Sequence, residues 1–447
     1  MHCGLSSALQ ARRKAKRMPD LFYFAMFFGL CQYLECGIIK RVCEYNACQR
    51  AEAKQWGEWH MFAFDTLIDR SQTGAVKWER RTEAEKRAGI VAMSVADMEF
   101  GVAPCVREAV VRAAEHGVYG YTDPNERYFA AVKRWMALRH GWDVRAEDVT
   151  CIHGVVPAIA VCVRAFTQPG DGVIIQPPVY PPFRQMIESN GRRVLNNALI
   201  NENGRYRMDY EDLERKAADP RARLMVLCSP HNPVGRVWTR EELARVHEIC
   251  KRHGVTVASD EIHFDLVAGG AHTVYADVDP DAIVLTAPSK TFNVPGLQLA
   301  NAIIRNVARR NAFREELMAC GGSNISYFGY AATCAAYEGG EEWLDALLDY
   351  LRGNEALVRD FMARRFPQVR ISPMEGTYLL WIDYRALGVP DAEVNQFLRQ
   401  DAGWIVNAGE MFGAEGRGFV RVNIALPRPE LQKALDRLAA AAQKMGY

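Results

Sequence analysis

The sequence predicts an α/β protein in which a mostly parallel sheet is covered by helices. Short and nearly continuous apolar runs lie at 173–175, 224–228, 255–258 and 283–285, and strands buried on both faces have this composition. Amphipathic stretches separate several of these runs; in 240–253, for example, apolar residues recur at a spacing of three to four. Strands and helices that alternate in this way are typical of a parallel sheet with helical crossovers.

The C-terminal part of the chain has a different pattern. A long helix-like stretch at 342–365 precedes an apolar segment at 378–383 and a glycine-rich segment at 409–418, which predicts a smaller α+β domain. The residues just after Met61 are expected to join this smaller domain. The predicted organisation is an extension at 1–60, a joining segment at 61–105, a large domain at 106–330 and a small C-terminal domain at 331–447.

Composition restricts the possible classes of function. Hydrophobic residues make up 49% and charged residues 24% of the 447 residues, as in ordinary globular enzymes. Lys and Arg number 55 against 54 Asp and Glu, so the formal charge of +1 lacks the basic excess that a phosphate-tracking surface needs. The twelve cysteines contain no CxxC pair and no zinc-like spacing, which favours buried thiols in a reducing compartment. We therefore expect a cytoplasmic protein that binds no nucleic acid and no metal.

The first sixty residues differ from the rest of the chain. They carry nine basic and five acidic residues and five of the twelve cysteines. A basic run at 12–17 precedes an apolar run at 21–31, which is the order of a signal peptide, but no small-residue cleavage site follows cleanly. From Met61 the sequence has the pattern of a globular domain. Three interpretations stay open: an upstream extension that is not normally translated, a membrane or export segment, and a genuine cytosolic extension. For the remaining chain we expect no membrane association.

Three polar side chains follow predicted strands, at the edge where open α/β sheets bind ligands. Asp260 follows the run at 255–258, and a carboxylate there can keep a heterocyclic nitrogen protonated. Lys290 lies in an uncharged stretch of small residues, where loss of solvation lowers the pKa of an amine and makes it nucleophilic toward a carbonyl. Asn232, between two prolines, presents an amide.

A fourth candidate, Arg421, lies on a predicted apolar strand. A guanidinium in such surroundings needs an anionic partner, and its planar fork suits a carboxylate. Each of the four residues also has a simpler interpretation: an Asn-Pro turn, a helix cap or salt bridge, a loop lysine and an edge-strand arginine. Their order is more specific than any one of them, with 28 residues from Asn232 to Asp260 and 30 from Asp260 to Lys290.

The segments around these residues resemble a known enzyme family. Together they resemble the fold-type-I, pyridoxal-phosphate-dependent class I/II aminotransferase superfamily. Residue by residue, these segments are similar to the sequences of its MalY/PatB-like branch, the cystathionine beta-lyases or C–S lyases. The resemblance runs from Met61 to near the C-terminus. The segments are SPHNPVGRVWT, SDEIHFD, APSKTFNVPGL and GRGFVRVN, with VADMEFGVAPCV at 95–106 and HGVYGYTDP at 116–124.

The resemblance implies a large domain with a seven-stranded type of sheet and roles for several residues toward pyridoxal 5'-phosphate. Lys290 matches the lysine that forms the Schiff base, and Asp260 matches the carboxylate paired with the pyridine nitrogen. Asn232 matches the donor to the phenolic oxygen. Tyr180 matches the aromatic residue stacked on the ring. His263 occupies a position where transaminases commonly have a tyrosine.

The resemblance also implies contacts for the phosphate and for the substrate. The backbone amides of Val155 and Val156 match the turn that faces the phosphate at a helix N-terminus. Ser289 is expected to contact the phosphate, as is Tyr121, reaching in from the partner subunit of a homodimer. Arg421 matches the arginine for the α-carboxylate of the substrate.

The sequence departs from the family pattern at two phosphate positions. Many relatives have a serine three residues before the lysine and an arginine eight residues after it, whereas this chain has Ala287 and Gln298. More of the phosphate binding is then expected from backbone amides, with Thr291 as a further contact.

The resemblance implies β-elimination on an amino-acid substrate that is a small molecule. Lys290 would act as the base for the Cα proton, and cystathionine or a related cysteine S-conjugate would yield a thiol, pyruvate and ammonia. Two alternatives stay open: an aminotransferase with the same residues, and a family member with an added non-catalytic regulatory role. Substrate specificity is expected in the loops at 97–100 and 407–412.

Overall fold

The computed structural model describes residues 62–322 and 324–444. The interpretations of residues 1–60 lie outside this part of the chain, and the predicted boundaries at 106 and 331 stay predictions.

Fifteen strands and fourteen helices are found in the described residues. Numbered along the chain, the strands are β1 (Val91–Ala92), β2 (Val149–Ile152), β3 (Gly172–Ile175), β4 (Arg193–Asn196), β5 (Ile200–Glu202), β6 (Arg205–Arg207), β7 (Ala222–Cys228), β8 (Thr256–Asp260), β9 (Ile283–Thr286), β10 (Ala300–Ile304), β11 (Arg370–Ile371), β12 (Leu379–Asp383), β13 (Trp404–Ile405), β14 (Asn407–Ala408) and β15 (Phe419–Asn423).

The helices are α1 (Val76–Glu79), α2 (Glu83–Arg87), α3 (Pro104–Glu115), α4 (Glu126–His140), α5 (Val155–Phe166), α6 (Pro182–Ser189), α7 (Tyr210–Ala217), α8 (Arg240–Arg252), α9 (Pro288–Thr291), α10 (Val307–Ala319), α11 (Tyr327–Gly339), α12 (Glu341–Arg365), α13 (Asp391–Gln400) and α14 (Arg428–Lys444). None of these described helices has both the length and the apolar composition needed to cross a membrane.

Seven strands form the main sheet, in the order β2-β10-β9-β8-β7-β3-β4. Strand β10 runs antiparallel to its neighbours β2 and β9, and the pairs from β9 through β4 are all parallel. The four apolar runs noted in the sequence correspond to β3, β7, β8 and β9. The prediction of a mostly parallel α/β sheet is therefore confirmed.

Both faces of this sheet are buried, which explains the absence of polar alternation in its strands. Val173 and Ile175 point to one face and pack in a core with residues of α5, α6 and α10. Ile174 points to the other face and packs with residues of α7 and α8. Every position of β3 thus faces apolar side chains.

Helix α8 shows how local sequence sets an element. The hydroxyl of Thr239 accepts a hydrogen bond from the backbone of Glu242, whose carboxylate accepts one from the backbone of Thr239. This capping box satisfies amides that have no partner inside the helix. The apolar residues that follow at three-to-four spacing, Leu243, Val246 and Ile249, are buried.

A second, antiparallel sheet has the order β11-β12-β15-β14. Helices α12 and α14 contribute to its apolar core. The N-terminal segment reaches the same region, because β1 pairs in parallel with β13, with Val91 opposite Trp404. The expectation that residues after Met61 join the small C-terminal domain stays a prediction.

We predict that Leu224→Ala lowers the free energy of unfolding by about 2–5 kcal/mol, because it removes a fully buried side chain from β7 and leaves a cavity. Leu138→Ala is the matched control, since Leu138 is 52% exposed on α4 and its loss is expected to cost about 0.5 kcal/mol or less. Urea denaturation followed by circular dichroism measures both. Equal losses would contradict the assignment of the sheet core.

Candidate active site

A cavity of about 330 Å³ lies at the carboxyl ends of the central parallel strands. The register of the sheet aligns Cys228 with Asp260 and Asp260 with Leu285, so the last residues of β7 and β8 share one edge. Eight of the ten predicted site residues line the cavity: Val155, Val156, Tyr180, Asn232, Asp260, His263, Ser289 and Lys290.

Asp260 is a buried carboxylate with few partners. Its Oδ1 accepts a hydrogen bond from the backbone N–H of Ile262 at 3.1 Å. The pKa of Asp260 is raised from 3.8 to about 7, chiefly by burial and also by the charge of Glu261, while the hydrogen bond from Ile262 and the charge of Lys290 act in the opposite direction. A protonated heterocyclic nitrogen at this carboxylate would supply the missing positive charge.

Lys290 lies on the four-residue helix α9, directly after β9. Its Nζ donates a hydrogen bond to the backbone oxygen of Ala96 at 2.7 Å. Removal of the amine from bulk water lowers the pKa of Lys290 to about 8, an effect opposed by the negative charge of Asp97. A lysine in this state is closer to the neutral, nucleophilic form at physiological pH than an exposed lysine is.

The N-terminus of helix α5 points into the same cavity. The helix begins at Val155 after Gly154, which has no side chain to cap it. Val155 and Val156, together with His153 from the end of β2, line the cavity. Amides at the start of a twelve-residue helix, with the positive end of its dipole, form a site for an anion such as a phosphate. Sequence reasoning did not identify His153.

Arg421 is buried beside Asn232 and is not among the residues that line the cavity. Its guanidinium donates to the side-chain oxygens of Asn232 at 3.0 Å and Asn407 at 2.7 Å, and to the backbone oxygen of Ser94 at 2.9 Å. Because Asn232 accepts this bond through Oδ1, its amide nitrogen remains available as a donor. Burial lowers the pKa of Arg421 to about 10.

His263 and Tyr180 complete the polar and aromatic lining. Burial, together with the positive charges of Lys290 and Arg421, lowers the pKa of His263 far below its ordinary value, so the ring is neutral. Its Nδ1 has no hydrogen-bond partner among the described residues. Tyr180 is partly buried, and burial raises the pKa of its hydroxyl.

Besides Arg421, two further predicted residues do not line the cavity. Tyr121 is 96% exposed in the segment between α3 and α4, and it does not line the cavity of its own chain, so its contact from a partner subunit stays a prediction. Thr291 is fully buried, and its hydroxyl donates to Asp265 Oδ2 at 2.7 Å. The expected phosphate contact of Thr291 is therefore wrong.

At the two departures from the family pattern, Ala287 is buried and Gln298 lines the cavity.

Residues 94–100 form a strap between the two sheets, which sequence reasoning did not predict. The side chain of Asn423 donates to the backbone oxygens of Val95 and Asp97, and that of Asn293 donates to those of Met98 and Phe100. Both asparagines lie in motifs that were visible in the sequence, but their backbone partners are more than 190 positions away. The strap carries Ala96, which accepts the bond from Lys290.

The loop at 97–100 is mostly buried, and the expectation that it determines substrate specificity stays a prediction. Met98, Glu99 and Phe100 are each 5% exposed or less. Glu99 forms ion pairs with Lys77 at 2.9 Å and Arg70 at 3.2 Å, so it anchors the strap. Tyr378 was also missed, although its hydroxyl donates to Ala96 O at 2.8 Å beside the Lys290 bond.

The family profile described as aminotransferase class I and II matches residues 88–438. The chain belongs to this family. Cystathionine beta-lyase PatB of Bacillus subtilis is 41% identical over 85% of this chain and 99% of its own length. Protein MalY of Escherichia coli is 36% identical over 85% of this chain and 99% of its own length.

Solved structures agree with this membership. The crystal structure of cystalysin from Treponema denticola, described as containing a pyridoxal 5'-phosphate cofactor, has a TM-score of 0.83 and 37% identity. The likeness covers 86% of this chain and 100% of cystalysin. The resemblance noted from the motifs is thereby confirmed at the level of the family and of its C–S lyase branch.

We predict that Asp260→Asn changes how the stability of the cofactor-free protein depends on pH. The folded wild type keeps the Asp260 proton up to a pKa of about 7, whereas the unfolded chain releases it near 3.8. Unfolding therefore releases a proton between these values, and the wild type loses stability relative to Asp260→Asn as the pH rises from about 4 to about 7. Denaturant titrations across this range measure the difference. A constant difference would contradict the buried carboxylic acid.

Proposed function

We propose that the protein is a pyridoxal-phosphate-dependent C–S β-lyase. It would use water to cleave cystathionine or a related cysteine S-conjugate to a thiol, pyruvate and ammonia. The observation that carries the proposal is one cavity in which Asp260, Lys290 and the start of α5 converge. The names of the relatives PatB and cystalysin support the lyase direction.

The side chains fit this cofactor group by group. Asp260 is a buried carboxyl group that forms no ion pair among the described residues, and it suits a protonated pyridine nitrogen. Lys290 is an amine of lowered pKa that suits an aldehyde. The amides of Val155 and Val156, with Ser289, suit a phosphate. Asn232 would donate to the phenolic oxygen, and the cavity-lining Tyr180 offers an aromatic surface to the ring.

Pyridoxal phosphate, when bound, supplies a ring that accepts the electron pair of the broken Cα–H bond. The chain supplies the remaining functions. Arg421 would hold the α-carboxylate of the amino acid, and its existing amide and carbonyl partners fix the guanidinium for that contact. Lys290 would take the Cα proton, and its pKa of about 8 suits a base that works near neutral pH.

We propose a homodimer in which Tyr121 of one subunit completes the site of the other as a catalytic and phosphate-binding residue. The exposure of Tyr121 and of its neighbours Val118 and Tyr119 supports this arrangement, since these apolar side chains lie outside any core of their own chain. A cytoplasmic location is the accompanying proposal. It is supported by the seven free cysteines of the described residues, because free thiols persist in reducing compartments.

We predict that the purified protein shows an absorption band at the edge of the visible range and that Lys290→Ala abolishes it, because the band requires the lysine–cofactor bond. Wild type should release pyruvate and thiol from cystathionine without 2-oxoglutarate. Asp260→Asn is the comparison variant; it should keep the band while losing turnover, since the lysine remains. An absolute need for 2-oxoglutarate, with no thiol released, would identify an aminotransferase. A colourless and inactive wild type would contradict both enzyme functions and leave the regulatory role.

The contribution of Tyr121 across subunits can be tested by mixing two inactive variants. If Tyr121 acts in trans, a mixed dimer of Lys290→Ala and Tyr121→Phe subunits has one site with both defects and one intact site. Activity should therefore reappear when the variants are unfolded together and refolded. Each variant refolded alone is the control. A mixture that stays as inactive as its components would show that both residues serve the same subunit.

A further inference from the structure

The helix that carries Lys290 is too short to hold its own position. Helix α9 has four residues, and Ala287 before it provides no side-chain cap. Two backbone bonds close the turn, from Phe292 N to Pro288 O at 2.8 Å and from Val294 N to Ser289 O at 3.0 Å. A single helical turn gains little stability from its own hydrogen bonds. The position of the Lys290 backbone therefore depends on contacts with other elements.

One such contact joins Thr291 to a buried carboxylate. The Thr291 hydroxyl donates to Asp265 Oδ2 at 2.7 Å. Asp265 also accepts from His140 Nε2 at 2.8 Å and from Trp135 Nε1 at 3.1 and 3.2 Å. The Asp265 side chain is fully buried, so this carboxylate is stabilised by its three donors rather than by water.

The donors are themselves held by packing. The Trp135 ring stacks on Tyr337 with centroids 5.2 Å apart. The His140 ring stacks on Phe264 at 4.4 Å. Trp135 and His140 both belong to the long helix α4. The Asp265 carboxylate is therefore held in a fixed position relative to this helix. It also follows Asp260 and His263 in the segment after β8, so it links that segment to α4 and α9.

We propose that Asp265, acting through the hydroxyl of Thr291, is the positioning residue that sets the location of the Lys290 amine. Neither Asp265 nor Thr291 lines the cavity, and the Thr291 hydroxyl is directed to Asp265, so the pair acts on Lys290 through the backbone. Their hydrogen bond fixes the backbone next to Lys290, while the backbone oxygen of Ala96 accepts a hydrogen bond from the Lys290 Nζ. This inference rests on the proposed function, in which Lys290 is both the cofactor-binding lysine and the base.

The test compares two variants of Thr291, one without the hydroxyl and one without the methyl group. Thr291→Val keeps the branched shape and removes the hydroxyl, whereas Thr291→Ser keeps the hydroxyl and removes a methyl group. Cofactor-free full-length proteins are mixed with pyridoxal phosphate, and growth of the visible-edge band gives the rate at which Lys290 reacts. Thr291→Val should react about ten- to a hundredfold more slowly and lose kcat by a similar factor, since a displacement of about 1 Å has that effect. Thr291→Ser should stay near the wild-type rate, and KM should change little in either variant.

A Thr291→Val protein with wild-type reconstitution and kcat would overturn the inference, even if its melting temperature fell. Equal losses in both variants would overturn it too, because the hydroxyl would not be the cause. If Thr291→Val does not fold, Asp265→Asn is the second variant; it keeps the volume and exchanges one acceptor oxygen for an amide. A wild-type rate in folded Asp265→Asn would again overturn the inference. A wild type that forms no band contradicts the proposed function itself, which separates the two failures.

Discussion

The withdrawal of Asp260 and Lys290 from water is the constraint on which the site depends. Burial raises the pKa of the acid to about 7 and lowers the pKa of the amine to about 8, so each group lies close to its neutral form. Two such groups at one sheet edge are costly for folding, and a ligand that brings a positive charge to Asp260 would offset part of this cost. Both faces of the large sheet are buried, and this burial makes the desolvation of the two groups possible.

The strap of residues 94–100 lies beside this edge of the sheet and contacts the Lys290 side chain. Residues 94–100 bind the large sheet through Asn293 and the small sheet through Asn423, so Ala96 O is fixed in front of Lys290. The ion pairs of Glu99 with Lys77 and Arg70 anchor the strap away from the cavity. The charged side chain of Glu99 thus holds the strap in place.

Much of the site could be predicted because polar residues that follow apolar runs lie at a strand end, and parallel strands place their ends together. Asp260 and Lys290 were found in this way, and the family resemblance added Tyr180 and the start of α5. Thr291 was assigned wrongly, since the sequence beside Lys290 does not show that the hydroxyl faces Asp265 in the interior. Tyr378 has no local signal, because its contact with Ala96 spans 282 positions.

The sequence by itself determined the class of fold, the edge of the sheet that carries the chemistry and the order of its main residues, because these follow from strand periodicity and from motifs within short segments. Only the tertiary structure decided which groups face one another. Arg421 meets Asn232 across 189 positions, Lys290 meets Ala96 across 194 and Trp135 meets Asp265 across 130. Such contacts depend on how elements pack, and the local pattern of residues does not encode the partner at that distance.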